Sequence, residues 1–165
     1  MEILIYPDSR LRQKSEPVTV FDDSLKQIVK EMLKLMHSKR GVGLAAPQVG
    51  ILKNLIINHL YYDDKENPRE PVVMVNPKII ERRGTTFTEE GCLSTPEIYA
   101  SVERDQWLKV EFQDLDGNIH QIEVENFRAK MVLHEMDHLE GKLFWDYLGL
   151  AQRNLLIKKL KKSLK

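Results

Sequence analysis

The stretch FRAKMVLHEMDHLEG, residues 127–141, decides how the rest of the chain is read. Phe127, Met131, Val132, Met136 and Leu139 recur at helical spacing, and Gly141 supplies a stop. Within this helix His134 and His138 stand four residues apart. Both imidazoles therefore lie on one face, one turn apart, within reach of a single metal ion. Glu135 is rotated by about 100° around the axis. It flanks such an ion without having to bind it, which is the place of the general base in an H-E-x-x-H arrangement. Two surface histidines with no shared task would spell the same five letters, so the reading turns on a third ligand.

A catalytic metal centre takes three protein ligands and leaves a position for water. Beyond the helix the donors on offer are Cys92, His37, His59, His120 and the carboxylates. Cys92, the only cysteine, has no intrachain disulfide partner and stands out by context. It lies in EEGCLSTP (89–96), between the end of an expected strand and a turn-prone Ser-Thr-Pro. A thiolate at a rigid strand end is a good ligand, whereas an isolated cysteine is more often an inert buried thiol. The loop GVGLAAPQVG (41–50) is built of small residues that let backbone approach a ligand closely. Gln48 is the only side chain there with both a donor and an acceptor. A side-chain amide beside a metal is suited to a developing oxyanion.

The remaining elements are read outward from these segments. Residues 22–40 carry Leu25, Ile28, Val29, Met32, Leu33 and Met36 at helical spacing, with Asp22 or Asp23 as N-cap and Gly41 as the stop. Residues 53–60 form a strand, and 61–71 a polar, proline-bearing loop. Residues 72–83 and 85–91 read as two strands around Gly84, followed by strands over 98–105 and 107–126. Asp116-Gly117 marks a hairpin in the last of these. Leu155, Leu156, Leu160 and Leu164 define a C-terminal amphipathic helix with a basic end. Helix, strands, helix, helix is an α+β order. The expected fold is mixed or antiparallel β-sheets packed around a central HExxH helix, with an N-terminal and a C-terminal helix, in a single domain over 1–165.

Composition narrows the functions. At 165 residues the chain can bury a real core. Its formal net charge is zero and its pI is near 7, which argues against a general nucleic-acid binder, and no DNA partner is expected. No run approaches 18 apolar residues, so no membrane span is expected. The start, MEILIYPDSRLR, lacks the basic and apolar regions of a signal peptide, and the expected location is cytoplasmic.

GVGLAAPQ at 41–48, EGCLS at 90–94 and HEMDHLEG at 134–141, in that order and spacing, resemble the peptide deformylases. The resemblance covers essentially the whole chain. It implies a hydrolase that removes the formyl group from the N-terminal methionine of nascent polypeptides and releases formate. Cys92, His134 and His138 would bind one divalent metal, Fe²⁺ in the cell, with Zn²⁺, Ni²⁺ or Co²⁺ able to replace it in purified protein. Water activated by the metal would attack the formyl carbon with Glu135 as general base and acid. Gln48 and the Leu93 N–H would form the oxyanion hole. Val42, Gly43 and Leu93 would line the cleft for an extended peptide, and Glu90 and Arg104 would support the centre from behind. Leu133 departs from the family pattern, which has glutamine before the first histidine. That leaves the side-chain pocket open, with Lys130 and Met131 both placed to approach it.

Two other readings compete. A metallopeptidase would take a third histidine or a glutamate as ligand, against Cys92 and Gln48. A binding module that had lost catalysis would lack Glu135 or Gln48. The basic end, KKLKKSLK (158–165), reads either as a solvated helix face or as a contact with the ribosome, from which the substrate emerges.

Overall fold

Successive side chains of a strand point to opposite faces of its sheet. Leu55 and Ile57 point one way and Ile56 the other, yet all three are fully buried. A strand buried on both faces needs a layer on each. The computed structural model, which describes residues 1–165, supplies both. Helix α1 (Asp23–Ser38) packs Leu25, Val29, Met32 and Met36 against Leu55, Ile57 and Val75. Helix α2 (Phe127–Leu139) packs Ala129, Met131, Val132 and Leu133 against Ile56, Met74, Leu108 and Val110 on the other side. Helix α3 (Leu150–Ser163) closes a third cluster, in which Leu160 meets Phe144, Trp145, Ile98 and Val102.

The strands are β1 (Gly43–Ala45), β2 (Leu55–Asn58), β3 (Val72–Cys92), β4 (Thr95–Gln113) and β5 (Ile119–Glu125). They form one sheet in sequence order, and every neighbouring pair is antiparallel. The class is α+β, as expected, with the HExxH helix central: α2 touches all five strands. Asp116-Gly117 makes the β4–β5 hairpin, where Gly117 takes φ 84° and Asp114 accepts from the Asp116 and Asn118 amides. Asp22 caps α1 by accepting from the Leu25 amide at 3.1 Å.

Five local expectations change, the first being that the strands expected over 98–105 and from 107 are one strand, β4, which runs unbroken through Gln106. Residues 72–91 are a single strand, because Arg83 pairs with Trp107 and Thr85 with Asp105 on either side of Gly84. Gly84 takes φ 62° within the ladder, a local irregularity that glycine tolerates, and the strand runs on. The 41–50 loop contains β1 and a short 3₁₀ turn, Ala46–Val49. Arg40, at φ 54°, makes the left-handed turn that ends α1, while the Gly41 N–H donates to the Met36 carbonyl at 2.9 Å. In α3 the inward face is Leu156, Ile157 and Leu160, whereas Leu155 and Leu164 are exposed.

Candidate metal centre

Cys92 ends β3, and the tight turn Leu93–Ser94 follows before Thr95 pairs back with it. The long β3–β4 ladder thus holds the thiol at a strand end, facing the second half of α2. One donor atom each from Cys92, His134 and His138 lies within 4.8 Å of the others, and Cys92 Sγ is 3.4 Å from His138 Nε2. Bonds of about 2.0–2.3 Å to one ion leave donors roughly 3–4 Å apart, so a thiolate and two imidazoles this close fit a zinc- or iron-type ion. His37, His59 and His120 lie outside this group.

The buried charges behind the centre orient it. His134 Nδ1 is 3.7 Å from Glu90 Oε2, an electrostatic contact longer than a hydrogen bond, which leaves Nε2 for the centre. Arg104 grips Glu90 with two bonds of 2.9 Å and reaches Asp137 at 2.7 Å, and Tyr147 donates to the same Asp137 at 2.7 Å. The Arg104 and Glu90 side chains are 4% and 1% exposed, so this is a desolvated pair rather than a surface one. Burial would raise the Glu90 pKa, but His134 and Arg104 outweigh it and hold the carboxylate low. Burial also pulls His134 down, and there the thiol and Glu90 override it and push it well up. His138 is pushed well down by burial and by the charge of His134.

Glu135 differs from Glu90. Burial raises its pKa to about 7, against the opposing pull of His134. Its Oε2 is buried with no partner. It borders a cleft of about 420 Å³, whose walls include Val42, Gly43, Leu93, Lys130 and Met131. Both residues left open by the sequence therefore reach the cleft. Leu133 does not: it is buried in the core beneath the sheet and lines a separate cavity with Met136 and Asp137. Gln48, 2% exposed, is held by the Ala45 amide on Oε1 at 2.9 Å. Its Nε2 donates to Ser94 Oγ at 3.2 Å and toward Cys92 Sγ at 3.4 Å.

A cysteine–histidine–histidine group beside a buried glutamate and a glutamine amide is a specific constellation, and known proteins match the chain over nearly its full length. The family model described as polypeptide deformylase matches residues 1–154. The chain belongs to the peptide deformylase family. A peptide deformylase of Baumannia cicadellinicola is 44% identical over 165 residues, covering 100% of this chain and 96% of that one. The crystal structure of a peptide deformylase from Legionella pneumophila superposes with a TM-score of 0.90 at 40% identity, covering 98% of this chain and 93% of that one. The peptide deformylase of Ehrlichia chaffeensis gives 0.92 at 33% identity, covering 100% and 97%. As a member of this family the chain is an enzyme, and none of its helices is long and apolar enough to cross a membrane.

In this deformylase-family chain, sequence reasoning missed Asp137, Tyr147, Ser94 and Asn58. Asp137 was visible inside HEMDH, but nothing in the letters paired it with Arg104. Asn58 carried a signal: it is the polar residue at an inward strand position of LIINHL, in phase with Ile56 and Leu60. It is fully buried, and neither atom of its amide has a partner. An orphaned buried amide costs about 1–3 kcal/mol, so packing alone does not account for it.

Proposed function

We propose that the chain removes the formyl group from the N-terminal methionine of nascent polypeptides, with Cys92, His134 and His138 holding one divalent metal. The observation that carries this reading is the convergence of those three donors beside the buried, unpartnered Glu135 carboxylate on the wall of the cleft. When bound, a divalent ion supplies Lewis acidity and lowers the pKa of water. The family resemblance implies Fe²⁺ as the physiological ion, with Zn²⁺, Ni²⁺ or Co²⁺ as substitutes.

Glu135 takes the proton from the attacking water and returns it to the leaving amine. Its raised pKa suits a group that must both accept and release a proton near neutral pH. The Gln48 Nε2–H and the Leu93 N–H donate to the oxyanion that forms at the formyl carbon. Gln48 suits this task because Ala45 and Ser94 hold its amide in one orientation. Val42, Gly43 and Leu93 all line the cleft, where an extended peptide would lie. Glu90 and Arg104 keep the His134 ring turned toward the centre.

Action on newly made formylated chains supports a cytoplasmic location for the enzyme. Lys158, Lys159, Lys161, Lys162 and Lys165 are exposed at the chain end and support contact with ribosomal RNA. Deleting residues 158–165 should weaken co-sedimentation with ribosomes and flatten its salt dependence; unchanged pelleting leaves a solvated helix face. The reaction itself is tested by anaerobic loading with ferrous iron and assay of formate release from an N-formyl-methionyl tripeptide. Rapid release with one metal per chain is the expected result, and a fully loaded but silent protein refutes the substrate.

A further inference from the structure

Asn58 ends β2 with its side chain on the α2 side of the sheet, the side lined by Ile56 and Leu60. An apolar residue would complete that cluster. Instead a fully buried amide stands there with Oδ1 and Nδ2 both unpartnered. Glu135 Oε2 is also buried and unpartnered. The two side chains meet over Gly43, the register partner of Asn58 in β1. A Cβ on Gly43 would stand 2.7 Å from Asn58 Oδ1 and would collide with Glu135 Oε1. The amide and the carboxyl therefore crowd one small volume, left open because residue 43 has no side chain. Two oxygens that close to a common point lie within the span of one bridging water.

A primary amide serves a carboxyl in both of its states. Its NH₂ donates to a carboxylate, and its carbonyl accepts from the O–H of the acid. Resting on the reading of Glu135 as the base, we propose that Asn58 is its positioning residue. The Asn58 amide holds the Glu135 carboxyl turned toward the cleft through one bridging water in the space over Gly43.

Asn58→Thr and Asn58→Val test this, because they differ by a hydroxyl against a methyl at nearly one shape. With the anaerobic iron-loaded enzyme and an N-formyl-methionyl tripeptide, Asn58→Val should lose about 30-fold in kcat with KM within about twofold of wild type. Asn58→Thr, which keeps a donor and an acceptor, should return to within about fivefold of wild type. Both should fold and retain one metal per chain, so that the rate difference reports on the carboxyl and not on loss of the site. Equal rates for Val and Thr, or a Val variant within about twofold of wild type, overturn the proposal. If Asn58→Val does not fold, Asn58→Ala takes its place in the comparison.

The double variant Asn58→Val/Glu135→Gln separates this role from the reading beneath it. If Asn58 acts through Glu135, the double variant keeps the residual rate of Glu135→Gln, whereas a further loss of about 30-fold overturns the link. Full turnover by Glu135→Gln alone overturns the base and Asn58 with it. A silent Glu135→Gln beside a normal Asn58→Val overturns only the role of Asn58.

Discussion

Two groups of buried polar side chains flank α2. Behind the helix, Arg104 joins Glu90 and Asp137, and Tyr147 completes Asp137, so the charges there are paired. On the Glu135 side, next to the cleft that Glu135 borders, Glu135 Oε2 and both ends of the Asn58 amide have no partner. The two carboxylates on either side of His134 show the consequence. Glu90, in contact with Arg104, is held below its ordinary pKa, while Glu135 is pushed up to about 7 by burial. A satisfied network is rigid and inert, and unsatisfied groups beside a cleft retain capacity for substrate, water or a metal. The paired side is the scaffold, and the unpaired side is where chemistry is proposed.

The contrast is sharpest at Glu135. Glu135→Gln keeps the shape and should keep the metal, yet lose about 10³–10⁴-fold in turnover, read as formate release at measured metal content. Turnover within tenfold of wild type would erase the functional difference between the two sides. On the paired side the expected loss is in stability. Arg104→Met leaves Glu90 and Asp137 buried without their cation, and should cost about 3–5 kcal/mol in urea unfolding. A midpoint close to wild type would mean that the pair is solvated in solution. Gln48→Leu tests the oxyanion donor, with an expected loss of about 10²–10³-fold in kcat and a smaller change in KM. A KM effect alone would make Gln48 a binding residue. The mildest case is Tyr147→Phe, which removes one hydrogen bond to Asp137 and should cost about 1 kcal/mol in thermal melts while leaving KM unchanged. A large rate loss there would show that the scaffold side tunes the chemistry.

Much of this was legible in the letters. The helix periods of residues 22–40 and 127–140, the Asp116-Gly117 hairpin and the Asp22 cap are local signals, set by side-chain spacing and turn chemistry over a few residues. The 3.6-residue period alone places His134 and His138 on one face, and a single cysteine at a strand end leaves few choices for a third donor. The boundaries of β3 were not legible, since Gly84 reads as a break and only the β4 ladder on both sides shows that it is not. The inward face of α3 was not legible either. Four leucines at near-helical spacing define a stripe, but Phe144, Trp145 and Ile98 select Leu156, Ile157 and Leu160 from its edge.

Local spacing therefore determined the helices, the Asp116-Gly117 hairpin, the shared face of the two histidines with the glutamate beside them, and the fold class. Tertiary packing decided which distant residues meet. It buried Arg104 against Glu90 and Asp137 instead of leaving it at the surface, turned Leu133 away from the cleft, and brought Lys130 and Met131 into it. It also set Asn58 beside Glu135, 77 positions along the chain. Such contacts depend on strand register and on how helices lie across a sheet. One step of register changes the face a side chain occupies, and nothing in a short window of sequence carries that information.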